Sequence, residues 1–267
     1  MRSPTITFLS DFGLADPYVG VCHAVIASIA PRVQVVDLLH TVPALNVRRG
    51  ATALADCVGV APAAVHLAVI DPDPVARPGI VVCAGEAHLV GPDNGLLLPA
   101  ADVLGGPTVA YALDDPSWHR TPVSPVFRGR DVFAPAAAHL ASGVSAAALG
   151  QRIDVNALHR LSAVDATIGH RRIAAPVRNV DHYGNVQLPV TADDLHAAGL
   201  DHRQPVRVVT SKGEVEVRRV DSFSDLAAGE LGIVEDSFGW LAIVAGGTDA
   251  ARSLGITRSD DVRLGDD

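Results

Sequence analysis

A change of texture near residue 164 constrains the fold of this chain more than any single motif does. Before it, short apolar runs alternate with helical patterns. Thr5–Ser10, Val33–Leu39, Val65–Asp71, Ile80–Gly85 and His88–Val90 read as strands; Tyr18–Ile29, Asn46–Cys57 and the Ala-rich Val132–Ser142 read as helices, with Asn46 as an N-cap. Such alternation predicts an α/β domain, residues 1–164, with a largely parallel central sheet and helices on its faces. Beyond residue 164 the runs are short and β-type: Arg172–Val180, Asn185–Val190, Val206–Thr210, Glu214–Val220, Leu231–Glu235 and Trp240–Val244. Turn pairs such as Tyr183-Gly184 and Lys212-Gly213 separate them. Helical patterns persist only at Ala192–Ala198 and Asp249–Leu254. Residues 165–267 are therefore expected to form a β-barrel-like domain.

The 267 residues are 48% hydrophobic and 19% charged, a globular composition with ample material for a core. The formal net charge of −9 opposes binding to phosphate backbones or an anionic membrane surface. Cys22, Cys57 and Cys83 are odd in number, widely spaced and set in apolar runs, which predicts reduced core thiols rather than a disulfide frame. The N-terminal stretch enters a strand pattern at once, and no uncharged run is long enough to span a bilayer. A cytoplasmic protein is the expectation.

In open α/β sheets ligands collect at the carboxyl ends of the strands, and the polar residues of this chain gather there. Ser10-Asp11-Phe12-Gly13 follows the first strand, Asp71-Pro72 the third, and Gly91-Pro92-Asp93-Asn94-Gly95 the next hairpin. Asp11 and Asp16 flank a Gly-containing turn and are placed to accept hydrogen bonds from a sugar diol or an ammonium group. An Asx turn that only starts the following helix accounts equally for them. Phe127-Arg128-Gly129-Arg130-Asp131 sets arginines and an aspartate around a glycine before a helix, which suits either an anion at the helix N-terminus or a local Arg130–Asp131 ion pair.

Other chemistries lack their motifs. There is no Gly-x-x-x-x-Gly-Lys run, no Gly-x-Gly-x-x-Gly after the first strand and no Gly-x-Ser-x-Gly elbow, which argues against triphosphates, dinucleotides and acyl transfer. The eleven histidines show no zinc-ligand spacing, so no metal site is expected; most are read as surface or edge residues, His139 as helix surface.

Taken together, six segments in order resemble the S-adenosylmethionine (SAM) hydrolase family, also called SAM hydroxide adenosyltransferases, which is related to fluorinase and chlorinase. They are Ser10-Asp11-Phe12-Gly13 with Asp16-Pro17-Tyr18-Val19-Gly20, Val69-Ile70-Asp71-Pro72, Pro92-Asp93-Asn94-Gly95-Leu96, Gly129 to Pro135, Asp181-His182-Tyr183-Gly184-Asn185-Val186, and Gly239-Trp240-Leu241. The resemblance implies hydrolysis of SAM to adenosine and L-methionine, with SAM as substrate and no cofactor. It also implies a homotrimer, with SAM between the N-terminal domain of one subunit and the C-terminal domain of its neighbour. By motif position Asp11 would hold the ribose, and Asp16 and Ser237 the methionine end. Asp181, Tyr183 and Asn185 would frame the adenine, with Asn94 and Trp240 also in the binding set. Asp71, Arg77, Arg128 and Gly129 would form the nucleophile site.

The departures from the family pattern fall on that nucleophile site. The loop Asp71-Pro72-Asp73-Pro74-Val75-Ala76-Arg77-Pro78 is one residue shorter than the family's Asp-Pro-Gly-Val-Gly-Thr-x-Arg-Arg, and Arg128 stands where the family has histidine. On the adenine side, Val244-Ala245-Gly246 replaces an Ala-Val-Asn pattern. Gly129 matches chlorinase, where fluorinase carries serine. Asp71 stands where the halogenases carry tyrosine, and a carboxylate beside a halide is repulsive. Hydrolysis is thus the favoured reading; a SAM-dependent halogenase and a catalytically weak SAM- or adenosine-binding protein are the alternatives.

Overall fold

The apolar run Thr5–Ser10 becomes β1, flanked on both sides by parallel partners in a seven-stranded sheet of order β2-β1-β3-β5-β4-β6-β7. The other elements are α1 (Tyr18–Ile29), β2 (Gln34–Leu39), α2 (Val47–Val58), β3 (Val65–Val69), β4 (Gly79–Ala84), β5 (Ala87–Pro92), α3 (Leu98–Val103), β6 (Pro107–Ala112), α4 (Ala134–Ala141) and β7 (Arg152–Ile153). The computed structural model describes residues 5–61, 65–73, 77–162, 165–200 and 205–266; the chain divides into two compact units, Met1–Leu161 and Ser162–Asp267.

Strands β2-β1-β3-β5 are parallel, as the strand–helix alternation predicts. The rest of the sheet is antiparallel, because Gly85-Glu86 joins β4 to β5 by a turn far too short for a crossover, and β6 and β7 extend the edge in the same sense. Gly85 takes the left-handed conformation, φ +55°, that this tight connection requires. Ile6, Phe8, Leu67 and Val69 bury one face of the sheet with α1 and α4; Ala68, Ile70, Val82 and Leu89 bury the other with α2 and α3. Cys22 is buried in the first layer, and all three cysteines are free. Burial pushes the Cys22 thiol up to about 12, so it behaves as a packing residue.

Asn46 caps α2 as expected, its side chain accepting from the Arg49 amide at 2.9 Å. The helix expected over Val132–Ser142 instead starts as a π-helical turn, Gly129–Phe133, and becomes α-helical only at Ala134. Pro135 has no N–H to return to the preceding turn, which leaves the Asp131 carbonyl to accept from the Arg120 amide at 2.8 Å.

The second unit is built on a nine-stranded sheet that curls into a half-barrel, of order β10-β11-β15-β14-β13-β12-β16-β9-β8. Its elements are β8 (Thr167–Gly169), β9 (Arg172–Pro176), β10 (Asn179–Val180), β11 (Val186–Gln187), α5 (Ala192–Ala197), β12 (Val206–Thr210), β13 (Gly213–Arg219), β14 (Leu231–Glu235), β15 (Leu241–Ala245), α6 (Ala250–Leu254) and β16 (Asp261–Gly265). The run Arg172–Val180, expected as one strand, breaks after Pro176, so that β9 pairs with β16 while β10 turns to β11. Inward-facing Ile173, Val208, Val217, Ile233, Ile243 and Val262 form the core. Thr191 and Asp194 cap α5 with a reciprocal capping box.

Candidate active site

The strand order of the first unit locates a crevice before any side chain is considered. From β1 the chain crosses to β2 on one side and returns to β3 on the other, so the carboxyl ends of β1 and β3 flank a topological switch point, where open α/β sheets bind ligands. Ser10 is in register with Val69. Asp11 and Asp71 therefore emerge side by side at the ends of neighbouring strands.

Asp71 is half-enclosed, with 11% of its side chain exposed, and neither carboxylate oxygen has a hydrogen-bond partner among the described residues. Its charged neighbour is Arg128, whose Nε lies 3.7 Å from Asp71 Oδ2 and whose side chain is 12% exposed. Burial raises the Asp71 pKa above the ordinary carboxylate value; Arg128 opposes this, and Asp73 and Asp11 add to it. The Arg128 guanidinium donates from Nη1 to the Arg77 carbonyl at 2.6 Å and lies 4.9 Å from the centroid of the Phe133 ring. Arg77 thus holds Arg128 through its backbone, and its own position is exposed. Residues 74–76 of the shortened loop lie outside the described residues.

The π-helical turn brings Gly129 against Phe12. A Cβ on Gly129 would fall 2.9 Å from Phe12 Cζ and 3.4 Å from Val69 Cγ1. Phe12, Tyr18 and Phe127 form an aromatic triangle with ring centroids 5.3 to 5.9 Å apart, Phe127 meeting both other rings edge-on. Beneath it, buried Asp131 takes a two-pronged ion pair from Arg130, both contacts 2.7 Å, together with the Ser124 amide at 2.8 Å and Arg120 at 3.2 Å. Of the two sequence readings of this segment, the local Arg130–Asp131 pair is the one observed.

Asp11 uses Oδ2 to accept from the Leu45 amide at 2.8 Å. Asp16 sits in the exposed approach to α1. Asn94 is buried and spends its amide on backbone, donating to the Ile70 carbonyl at 2.8 Å and accepting from the Leu96 amide at 3.2 Å. It therefore fixes the residue immediately before Asp71.

A second group of polar residues lies wholly inside the second unit, around a cavity of 750 Å³. Asp181, Tyr183, Asn185 and Ser237 line it, with Asp236, Thr248, Asp249 and Phe223. Asp181 organises its loop by accepting from the Tyr183 and Asn185 amides at 2.8 and 2.9 Å and from Asn185 Nδ2 at 2.8 Å. Asp236 repeats the device, accepting from the Phe238 and Trp240 amides at 2.8 and 3.0 Å and so presenting Ser237. Trp240 packs beneath Arg178, whose guanidinium carbon is 4.7 Å from the ring centroid. Asp236 was legible in principle, since Asp-Ser-Phe-Gly is the same kind of turn as Asp-His-Tyr-Gly.

The histidines correct the sequence reading in one respect. His40 and His66 are buried core residues, and His139 is half-buried with its ring 4.8 Å from that of Trp118. His66 pairs with Thr7 at 2.8 Å across β1 and β3, and burial lowers its pKa to about 4. Among the described residues, no cluster of His, Cys, Asp and Glu is placed to hold a metal, and no helix is long and apolar enough to cross a membrane.

A half-buried carboxylate–guanidinium pair at the switch point of an α/β unit, with a polar-lined cavity in a unit built on a curled β-sheet, is the arrangement of a two-unit ligand-binding protein. Residues 6–150 match the SAM hydroxide adenosyltransferase N-terminal domain and residues 175–263 the C-terminal domain; the chain belongs to this family. It is 42% identical to an (R)-S-adenosyl-L-methionine hydrolase of Salinispora tropica, over 98% of each chain. A fluorinase of Nocardia brasiliensis is more distant, 26% identical over 91% of this chain and 90% of that one. A crystal structure of an uncharacterized conserved protein from Thermotoga maritima superposes with a TM-score of 0.93, at 30% identity, over 98% of this chain and 100% of that one.

Proposed function

We propose that this protein hydrolyses SAM to adenosine and L-methionine, with Asp71 as the acceptor of the water proton. The carrying observation is the Asp71 carboxylate: buried at the switch point, raised in pKa and with both oxygens lacking hydrogen-bond partners among the described residues. A carboxylate so placed has acceptor positions that no protein donor among the described residues uses, and it is more basic than one in solvent.

Water oxygen forms a bond to C5′ as the C5′–sulfur bond breaks, and the bond pair passes to sulfur. Methionine leaves as a neutral thioether, so its departure needs no general acid. The water proton passes to Asp71, which releases it to solvent after the product separates. The reaction written this way calls on no redox or metal chemistry, and SAM is substrate rather than cofactor. Arg128 lowers the Asp71 pKa against the effect of burial and favours negative charge growing on the water oxygen, but as a permanently protonated group it does not serve as a base. Gly129 lets its backbone pack against Phe12, where a side chain would not fit.

Asp11 then receives the ribose hydroxyls on its remaining oxygen, and Asp16 the methionine ammonium. The cavity of the second unit, with Tyr183 and Asn185 on its wall, suits a planar heterocycle, and Ser237 suits the methionine carboxylate. Each unit thus offers one part of a SAM site. In the proposed homotrimer the first unit of one subunit and the second unit of its neighbour complete it. A cytoplasmic setting, where SAM is made, fits this role.

Purified protein incubated with SAM, with and without fluoride, chloride or bromide, tests the reading by chromatography with mass detection. Adenosine and methionine formed without halide are the expected products. A 5′-halo-5′-deoxyadenosine would make the protein a halogenase, and bound SAM or adenosine without turnover would make it a binding protein.

A further inference from the structure

The residue that follows β1 is expected to grip the ribose, yet Asp11 lies on a turn, and turns are held by what lies beneath them. Under this turn Ser10 is fully buried, and its Oγ lies 2.7 Å from Nδ1 of His40, which is 5% exposed. Ser10 Oγ also accepts from the Phe12 amide at 3.3 Å. On the far side of the ring, His40 Nε2 approaches Asp37 Oδ1 to 3.0 Å, obliquely to the N–H direction. The same Asp37 oxygen meets His23 Nε2 at 2.8 Å on the surface. Two further contacts tie the turn to the loop after β2: the Gly13 amide donates to the His40 carbonyl at 2.7 Å, and the Leu45 amide to Asp11 Oδ2 at 2.8 Å.

The chemistry of the groups fixes the outer end of this chain. Burial alone would raise the Asp37 pKa, but the close approach of the His40 and His23 rings outweighs it and holds the group below the ordinary value. Asp37 is thus an anion that only accepts. A bare imidazole lone pair facing it would be repelled, so Nε2 of His40 carries a proton. The Ser10 hydroxyl shares a 2.7 Å hydrogen bond with Nδ1, and its oxygen keeps a lone pair for the Phe12 amide. Serine, histidine and aspartate here resemble a nucleophilic triad only in composition. The ring is reversed, with Nδ1 rather than Nε2 on the serine, and Ser10 has no exposed surface for a substrate.

We infer that Asp37, His40 and Ser10 are positioning residues that orient the Asp11 turn for the ribose, through a relay of contacts that runs from the Asp37 carboxylate to the His40 ring and by hydrogen bonds from there through Ser10 to the Phe12 amide. The ribose part of this inference rests on the SAM reading; the relay itself does not. His23 shares Asp37 but stands outside the path.

The test compares Ser10→Ala, Asp37→Ala, Asp37→Asn and His23→Ala in the full-length protein. Amide hydrogen exchange of the segment spanning residues 9–14 is measured without substrate, alongside kcat and KM for SAM. Ser10→Ala and Asp37→Ala should each speed exchange at the turn and raise KM about 5- to 10-fold, the loss of about one hydrogen bond's net worth, with kcat within about twofold. Combining them should add little to the larger single effect, because the links act in series. Asp37→Asn keeps an acceptor for Nε2 and should restore most of the wild-type behaviour, and His23→Ala should leave both readouts unchanged.

Exchange unaltered in Ser10→Ala or Asp37→Ala overturns the relay, whatever the protein does with SAM. Faster exchange with KM unmoved, in an enzyme that hydrolyses SAM, overturns the link to ribose. Wild-type protein that forms no adenosine, but whose variants show the exchange pattern, keeps the relay and refutes the SAM hydrolase reading instead.

Discussion

Arg128 Nε and Asp71 Oδ2 face each other at 3.7 Å, too far for a direct hydrogen bond and close enough for strong attraction between half-enclosed charges. A pair at this distance leaves both carboxylate oxygens without a protein donor among the described residues, while the guanidinium favours the ionised form. That is a useful arrangement for accepting a proton from water, and a poor one for stability. Each charge gives up solvent without gaining a hydrogen bond from the other.

Replacement of Asp71 by Asn separates these two roles. Because burial raises the folded-state pKa above the unfolded value, ionised Asp71 favours the unfolded chain at any pH above its folded-state pKa; the penalty fades as pH falls through that pKa and below. Asp71→Asn should therefore melt at or above the wild-type temperature at pH 7 and lose this advantage in acid, while hydrolysis falls by about 10²- to 10⁴-fold, the usual contribution of a general base. Thermal melts across pH, paired with adenosine formation, check both halves.

Arg128 lowers the Asp71 pKa, so its removal should move the pH dependence in a definite direction. The acid limb of kcat reports the ionisation of the base, and in Arg128→Gln that limb should shift to higher pH. Activity at the alkaline plateau should also fall, through loss of charge stabilisation on the attacking oxygen. A pH–rate profile whose acid limb stays in place would assign the limb to a group other than Asp71.

Much of this site was legible from the chain alone, because strand ends are readable as the polar residues that stop apolar runs. Asp11 and Asp71 were placed that way, and the register of β1 on β3 brings them together. What the sequence concealed were contacts between segments remote along the chain. Nothing in the pattern around His40 marks it as a buried partner of Ser10, since the apolar neighbours that bury it, such as Phe8 with its ring 4.6 Å away, arrive only with the sheet. The mixed character of the sheet was hidden for a related reason. The run that becomes β6, Pro107–Ala112, is only partly buried along most of its length and carries weak alternation, so the antiparallel edge built on it was not foreseen.

Asn94 offers a direct contest between two roles. As a substrate ligand its loss would raise KM, but its amide is committed to the Ile70 carbonyl and the Leu96 amide. Asn94→Ala should therefore lower kcat more than it raises KM, by displacing Asp71, and should cost about 1–3 kcal/mol of stability from the buried groups it leaves unpaired. Steady-state kinetics with denaturant melts decide the matter.

Gly184 tests the second unit in the same way. It adopts φ +85°, and an added Cβ would fall on the carboxylate of Asp249, the residue that caps α6 through the Arg252 amide. Gly184→Ala must strain the backbone and also push apart the Asp181 loop and the start of α6, both of which line the cavity. Chemistry at Asp71 does not pass through these residues. The variant should accordingly bind adenosine at least about 10-fold more weakly by calorimetry, as strain of about 1–3 kcal/mol at such a position implies, with kcat at saturating SAM much less affected. Unchanged adenosine affinity would remove the cavity of the second unit from the nucleoside site.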